Sequence, residues 1–536
     1  MIWKSTVPAL LSLLFSHQAL AAPGVQLGNT ILTGRDKPLF KQTSLEVCIP
    51  YTESPKRLEP PVLRTNYVNG TMDASHFGSA CLQLNLAASQ VSEDCLSINV
   101  LRPSGINEDS ALPVMFWTYG GGFHSGTVAQ HNGSVFVQQS VARGTPVIYI
   151  NFNYRLGPLG FPQGQEAADR GALNLGLKDQ LVALEWVKKN VRAFGGDPNK
   201  VSFAFFDPKI LDMNGEIGDG IWTQRRFYYD FNSILESEIF QSGLQPTSPI
   251  FPPQYREDDR AIFVGGVPEC ANLTSTESTF ECLQNPNISS ASIVQGMSIS
   301  TDKNGIGQWA PVLDGPDGFL PDLPSRLYEQ GSFARIPFIA GTQLDEGTSF
   351  IPPTGLNFTD ATMRQFILVI YAPPLPPYTL ADLSGVADKL VALYPDIPAL
   401  GSPFGTGNET FGLDQGLKRF AAWFGDINFQ SLRRLWIQTA ANKGVPTYGY
   451  EFTQPQANSS YLGVSHSTLV RYVYGAPLNA TPADIEISRV IVDYWISFAT
   501  SLTPNDGKGI SRPVWRQYKS HSDEASKVFA ALIDES

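Results

Sequence analysis

The feature that most constrains this chain is a long apolar run that ends in three consecutive glycines. Residues 112–123 read LPVMFWTYGGGF. An apolar run bounded by turn residues is typical of a strand buried on both faces of a sheet. Glycines at its end carry no Cβ, so their N–H groups can lie close to a developing oxyanion. Gly121 and Gly122 are therefore candidate oxyanion-hole donors, and we prefer this interpretation to a plain flexible turn because a buried strand precedes them and Phe123 follows.

The same pattern recurs along the chain and predicts the fold class. Further buried strands are predicted within TPVIYINFNYRLG, KVSFAFF, ARIPFIAGTQLDEG and VPTYGYEF. Helical apolar spacing marks residues 174–198 and residues 488–502. Strands that alternate with helices indicate an α/β protein with a large central, mostly parallel sheet. Residues 252–311, which include two cysteines, are interpreted as a cap or insertion.

The charge balance excludes one class of partner. The chain has 536 residues, with 50 acidic and 38 basic side chains and a net charge of -12. Nucleic acid binding needs clustered Lys and Arg, which this composition does not favour. We therefore expect a soluble protein that handles neutral or cationic small molecules.

The first 21 residues have the pattern of a secretory signal peptide. Lys4 precedes an apolar stretch over residues 7–15, and residues 19–21 read ALA, a small-residue cleavage site. A buried terminal strand or helix is the alternative. No later stretch has the ~20 apolar residues that a membrane span needs. We expect a secreted protein that begins near Ala22 and has no integral membrane segment.

The cysteines and the sequons fit an oxidising, extracellular compartment. Close spacing favours two local disulfides, Cys81–Cys95 and Cys270–Cys282, and leaves Cys48 as a free, buried thiol. Cys48 is a poor nucleophile candidate because no histidine is near it in sequence. Eight N-x-S/T sequons are candidate glycosylation sites: Asn69, Asn132, Asn272, Asn287, Asn357, Asn408, Asn458 and Asn479.

Ordered motifs along nearly the whole chain resemble the type-B carboxylesterase/lipase family, which has cholinesterase-like and fungal lipase-like members. The motifs include SEDCLSINVLRP, YGGGFHSG, NYRLGPLGF, FQSG, GTQLDEGTSF and YWISFATSLTPND. The resemblance implies one α/β-hydrolase domain over residues 22–536, no cofactor or metal, and a small-molecule or lipid ester as substrate. It also implies a nucleophile–acid–histidine order and supports both disulfide pairings. Tyr119 stands where the family usually has His, and Cys48 where it usually has Gly.

A general base late in the chain is required by this chemistry. His466 and His521 are the late histidines, and His521 lies in a polar tail, whereas His466 matches the family's G-x-x-H position. The family places its acid directly before Gly-Thr, which selects Glu346 over its neighbour Asp345. Relatives commonly carry an acidic residue where this chain has Leu469, and this departure concerns substrate preference.

The nucleophile is missing from its expected place. The family's G-x-S-x-G elbow should follow the strand KVSFAFF, but no such motif occurs there. The nucleophile position falls on Asp207, and Pro208 after it has no N–H to complete an oxyanion hole. Ser202 comes too early, whereas Ser233 and Ser237 come too late.

Three explanations compete for the atypical segment 204–237. It is a mistranslated splice junction or frameshift, the mark of an inactive relative kept for binding, or a site with Asp207 as nucleophile. We favour the first because the family pattern stops and resumes abruptly, and because Arg225, Arg226 and two aspartates would be costly to bury in place of the elbow helix. The sequence thus predicts a carboxylic ester hydrolase by family that is inactive as written. The alternative is a non-catalytic, secreted recognition protein.

Overall fold

The computed structural model covers most of the chain. It describes residues 24–36, 43–67, 69–206, 235–243, 250–274, 278–304, 309–316, 318–352, 355–371, 378–456, 460–519 and 526–528. The predicted signal peptide, Asp207 and the sequon at Asn458 lie outside the described residues, as does most of segment 204–237.

Fifteen strands occur within the described residues. In chain order they are β1 (Gly24–Leu27), β2 (Thr30–Thr33), β3 (Arg35–Asp36), β4 (Thr43–Pro50), β5 (Gly70–Asp73), β6 (Ala80–Cys81), β7 (Val91–Ser92), β8 (Ser97–Pro103), β9 (Leu112–Thr118), β10 (Ile148–Phe152), β11 (Gly196–Phe206), β12 (Leu235–Gln241), β13 (Phe338–Gln343), β14 (Thr447–Phe452) and β15 (Ser526–Val528). Each predicted buried strand is therefore present.

The α-helices of the same residues lie mainly between and after these strands. In chain order they are α1 (Ser134–Ala142), α2 (Gly157–Gly160), α3 (Gln165–Asp169), α4 (Leu175–Asn190), α5 (Glu257–Gly266), α6 (Thr279–Leu283), α7 (Ser290–Asn304), α8 (Pro324–Gln330), α9 (Asp360–Gln365), α10 (Leu380–Leu393), α11 (Leu417–Gly425), α12 (Ser431–Asn442), α13 (Thr468–Val473) and α14 (Pro482–Ser501). Both helices expected from apolar spacing, α4 and α14, are among them.

Ten of the described strands form one mixed sheet, in the order β15-β14-β13-β12-β11-β9-β10-β8-β4-β3. From β10 to β15 every neighbouring pair is parallel, whereas β8, β4 and β3 add antiparallel pairs at one side. The sheet is thus mostly parallel, as predicted. Strands β1, β2 and β5 form a separate small sheet.

The core lies where helices cover the parallel strands. Strands β9 and β10 are almost wholly buried, which explains their uninterrupted apolar sequences. Helix α14 packs on β9, β11 and β12, and its Trp495 and Phe498 are fully buried. Helix α4 contacts β11 and continues into a 3-10 helix, Val191–Phe194, which ends at Gly195 with the left-handed φ of 88° typical of a helix C-terminus.

One buried ion pair connects helix α4 to the loop after β10. Arg155 donates to both carboxylate oxygens of Asp179, from Nε at 2.9 Å and from Nη2 at 2.7 Å. The Arg155 N–H also donates to Asp179, at 3.0 Å. Two-point contacts of this kind have a fixed geometry, so the NYRLG motif is held in place by the helix that follows it.

The predicted insertion is helical, and its apolar side chains share a second core cluster with residues of the main body such as Leu159 and Leu173. Helices α5, α6 and α7 lie in it, and α5 packs along α7 through Gly266 and Gly296, where a Cβ would collide with the facing helix. The buried Glu166 on α3 accepts hydrogen bonds from the Thr279 and Phe280 N–H groups at the start of α6. These hydrogen bonds connect helix α6 of the insertion to helix α3 of the main body.

The disulfides are those expected from the sequence. Cys81 is bonded to Cys95 and Cys270 to Cys282, and Cys48 is a free cysteine. Cys48 is half-buried rather than buried, and it lies where the pairing of β4 with β8 shifts register, with a φ of 58°. Burial raises the pKa of its thiol. Within the described ranges, we find no helix that combines the length and apolarity of a membrane span.

Candidate active site

The predicted site residues follow strands that end at one edge of the main sheet. Strands β9, β11, β12, β13 and β14 are adjacent and parallel, so their carboxyl ends share that edge. Phe205 of β11 pairs with Thr118 of β9, and Phe206 pairs with Gln241 of β12. The glycine loop therefore follows one neighbour of β11, and Glu346 follows β13 further along the edge. Ligand sites of open α/β sheets lie at such edges.

The structure brings Glu346 and His466 into direct contact. The two residues are 120 positions apart in sequence, and the imidazole Nδ1 lies 2.6 Å from Glu346 Oε2. The Glu346 side chain is 0% exposed and that of His466 is 9% exposed. The other carboxylate oxygen accepts the Gln343 N–H at 2.7 Å. A carboxylate held in this way fixes the imidazole and can stabilise its cation.

Asp345, the rival acid, does not contact the imidazole. Its oxygens accept hydrogen bonds from Ser402, Phe404 and Val464 instead. The two neighbouring carboxylates point in different directions. Glu346 begins a short 3-10 helix, Glu346–Phe350, whereas Asp345 forms an isolated parallel β-bridge with Ser465.

Two aromatic rings pack near the imidazole. The ring centroids of Phe350 and Phe429 lie 5.3 Å and 5.0 Å from that of His466. Phe350 is partly exposed and also stacks on Phe424 at 4.9 Å. The imidazole thus lies between a carboxylate partner and two phenyl rings.

Gln343 is a further residue of this site, and it was not predicted from the sequence. Its backbone N–H binds Glu346, its side-chain carbonyl accepts the Leu469 N–H at 3.1 Å, and its side-chain amide donates to Ser242 Oγ at 2.5 Å. Gln343 therefore connects the ends of β12 and β13 to the segment after His466. The signal that could have revealed it is its place inside the GTQLDEG motif, where a polar residue ends a buried strand.

The glycine loop has a backbone that only glycine adopts easily. Gly121 has a φ of 116° and Gly122 a φ of 62°. A Cβ on Gly121 would lie 2.2 Å from the Ser125 carbonyl oxygen. That loop is closed by the Gly121 carbonyl, which accepts the His124 and Ser125 N–H groups at 3.3 and 3.2 Å. Neither Gly121 nor Gly122 donates its N–H to another part of the described chain, so both remain available to an external acceptor.

The buried side chain of Tyr119 packs against this loop. Its ring stacks on Tyr154 at 4.8 Å, and the two tyrosines exchange hydrogen bonds between their hydroxyl and backbone groups. Burial raises the pKa of the Tyr119 hydroxyl, which keeps it protonated. Gly126 closes against the same ring, since a Cβ there would lie 2.2 Å from it.

The remaining predicted residues are the nucleophile position and the sequons. Asp207 lies outside the described residues, so no geometry relates it to His466. All the sequon asparagines that the structure describes are exposed, as N-glycosylation requires. Among the described side chains, no group of three or more His, Cys, Asp or Glu residues is placed to hold a metal ion.

The chain is similar to known proteins in sequence and in fold. The model of the carboxylesterase family matches residues 22–205 and 227–532. The sequence is 32% identical to "Lipase 2" of Geotrichum candidum, over 82% of this chain and 74% of that protein. It is 31% identical to "Secreted triacylglycerol lipase LIP1" of Gibberella zeae, over 88% of this chain and 81% of that protein.

Solved structures show the same fold. The crystal structure of Aspergillus niger EstA superposes with a TM-score of 0.75 at 24% identity, covering 93% of this chain and 92% of that one. A structure titled "Thermophylic PNB esterase" gives a TM-score of 0.70 at 22% identity, with 94% and 95% covered. The internal gap of the family match, residues 206–226, begins where β11 ends.

Proposed function

The chain belongs to the carboxylesterase family, and from that premise we propose that its site is built for the hydrolysis of carboxylic esters. His466 is the general base, Glu346 orients it, and Gly121 and Gly122 donate to the oxyanion. The observation that carries the proposal is the 2.6 Å contact between His466 Nδ1 and the buried Glu346.

Each group has one task in this chemistry. Nδ1 of His466 is engaged with Glu346, which leaves Nε2 to take a proton from the nucleophile and later return it to the leaving group. The Glu346 carboxylate stabilises the imidazolium that forms. The free N–H groups of the glycine loop stabilise the negative charge on the substrate carbonyl oxygen. The phenyl rings of Phe350 and Phe429 provide apolar surface beside the imidazole for the substrate.

The chain as written lacks the serine that this chemistry needs. Asp207 stands at the nucleophile position and Pro208 removes an oxyanion donor. Loss of the nucleophile costs on the order of a millionfold in turnover. We therefore propose that this exact sequence is inactive as a serine esterase, although its acid, base and glycine loop are retained.

Hydrolysis of short-chain and long-chain p-nitrophenyl esters tests this proposal, with the His466→Ala variant as the control. We expect the chain as written to hydrolyse both no faster than the variant, and a fluorophosphonate serine probe to leave it unlabelled. Covalent labelling at the site would overturn the inactivity. Sequencing of the spliced transcript decides the cause, because a G-x-S-x-G after KVSF would restore an ordinary esterase.

A non-catalytic recognition protein is the second candidate, and the missing serine favours it. If the transcript confirms AFFDPK and the purified protein is folded and unreactive, the non-catalytic recognition function is supported. If the transcript restores the serine, it is excluded.

We further propose that the protein is secreted as a single carboxylesterase-type domain over residues 22–536, after removal of residues 1–21, and carries N-linked glycans. The secreted relatives, the exposed sequons and the two disulfides support this. N-terminal sequencing of the secreted protein and a mass decrease after N-glycosidase treatment would test it.

A further inference from the structure

Asp345, the carboxylate next to Glu346, is buried, and its side chain accepts hydrogen bonds from groups other than the imidazole. Asp345 is 2% exposed. Oδ1 accepts from the Ser402 hydroxyl and from the Phe404 N–H, both at 2.8 Å, and Oδ2 accepts from the Val464 N–H at 2.9 Å. Burying a carboxylate is costly unless donors surround it. These three donors satisfy it and join two distant loops through one side chain.

Asp345 binds Val464 at two points. Its carboxylate accepts the Val464 N–H, and its own backbone N–H donates to the Val464 carbonyl at 3.0 Å. Asp345 also forms an isolated parallel bridge with Ser465. His466 is the next residue, so the backbone that carries the imidazole is fixed immediately before it.

Gly463 gives a second, independent sign of this arrangement. Its φ is 55°, and a Cβ built on it would lie 2.4 Å from Asp345 Oδ2. The carboxylate can reach Val464 only because residue 463 has no side chain. This contact provides a physical reason for a glycine three positions before the histidine.

We propose that Asp345 is a positioning residue for His466: it fixes residues 463–465 so that Nδ1 of the imidazole stays against Glu346. The catalytic meaning of this placement rests on the proposed function, in which His466 is the base. The placement itself can be measured in a protein that has no activity.

The test is the proton resonance of the His466 Nδ1–H in one-dimensional NMR of the full chain at mildly acidic pH. A short hydrogen bond to a carboxylate moves this proton far downfield, and its absence from the His466→Gln variant assigns it. In Asp345→Asn the amide can keep an oxygen toward Ser402 and Phe404, but its NH2 then faces the Val464 N–H. We expect the resonance to be lost or broadened in that variant.

Ser402→Ala is the matched control, because it removes a donor at the far end of Asp345 and leaves the Val464 contact intact. Its resonance should persist. If Asp345→Asn is folded by near-UV circular dichroism and keeps the resonance, the positioning role is wrong. If Asp345→Asn does not fold, Gly463→Ala attacks the same contact from the other side, and an unchanged resonance there would overturn the role equally. A wild-type protein without the resonance would instead overturn the Glu346–His466 contact and the proposed function with it.

Discussion

Two histidines of this molecule lie among aromatic rings, and the regions around them differ in what faces the ring nitrogen. His131 lies in the glycine-loop region (residues 117–133), where its ring centroid is 4.2 Å from Trp117 and 5.4 Å from Tyr474. Its Nδ1 lies 3.1 Å from the Thr127 carbonyl oxygen. His466 lies in the histidine-loop region (residues 343–350 and 463–469), and its Nδ1 faces the Glu346 carboxylate.

The difference teaches what makes a buried histidine useful for catalysis. Burial lowers the pKa of His131 to about 4, because a backbone carbonyl does not offset the desolvation of a cation. His131 therefore stays neutral and structural. In the proposed function, the Glu346 carboxylate beside His466 stabilises the ring when it accepts a proton. The glycine-loop region is held by backbone conformation and packing, and the histidine-loop region by buried carboxylates.

The largest effect is expected where backbone conformation holds the glycine loop. Gly121→Ala adds a Cβ 2.2 Å from the Ser125 carbonyl oxygen at a φ of 116°, and we expect a loss of about 3–5 kcal/mol in the free energy of unfolding. Gly144→Ala is the control, because Gly144 has a φ of 75° and no atom within 4 Å of the added Cβ. It should cost about 1 kcal/mol. Urea unfolding measures both, and equal losses would show that crowding in the loop is unimportant.

A smaller, pH-dependent effect is expected at His131. Its pKa is about 4 in the folded protein and about 6.5 when unfolded, so the unfolded chain binds more protons between these values. Above about pH 6.5 this group does not lower the free energy of unfolding. As the pH falls from about 6.5 to about 4, proton uptake by the unfolded chain lowers that free energy by up to about 3 kcal/mol. His131→Phe should flatten this part of the stability–pH curve, whereas His76→Phe, at an exposed site, should leave it unchanged. A slope that survives in His131→Phe would assign the loss to other groups.

The smallest effect is expected for the charge in the histidine-loop region. Glu346→Gln keeps one acceptor but presents an NH2 to either the Gln343 N–H or His466, and should lower the free energy of unfolding by about 1–3 kcal/mol. Glu185→Gln makes the same chemical change at a surface pair with Lys189 and should cost at most about 0.5 kcal/mol. Thermal unfolding at neutral pH compares the two. A Glu346→Gln variant as stable as Glu185→Gln would mean that the buried carboxylate serves chemistry alone.

The sequence by itself determined the local elements and the residue types of the site. Uninterrupted apolar runs predicted β9, β10 and β11 because strands buried on both faces cannot carry polar alternation. Short spacing favoured the disulfides Cys81–Cys95 and Cys270–Cys282 because short loops close easily. The three glycines after β9 marked the loop, since few other residues tolerate its backbone angles. A late position in the chain, away from the polar tail, indicated His466, and the resemblance to the family supported it, whereas Glu346 was selected by the resemblance.

Only the tertiary structure decided how those residues are used. Asp345 and Glu346 are chemically almost alike and adjacent in sequence, and the turn at the end of β13 sends one to the histidine loop backbone and the other to the imidazole. Sequence patterns repeat over a few residues, whereas these contacts span more than a hundred positions and depend on which strands become neighbours in the sheet. For the same reason only the structure shows which group each ring nitrogen meets, a backbone carbonyl at His131 and a buried carboxylate at His466.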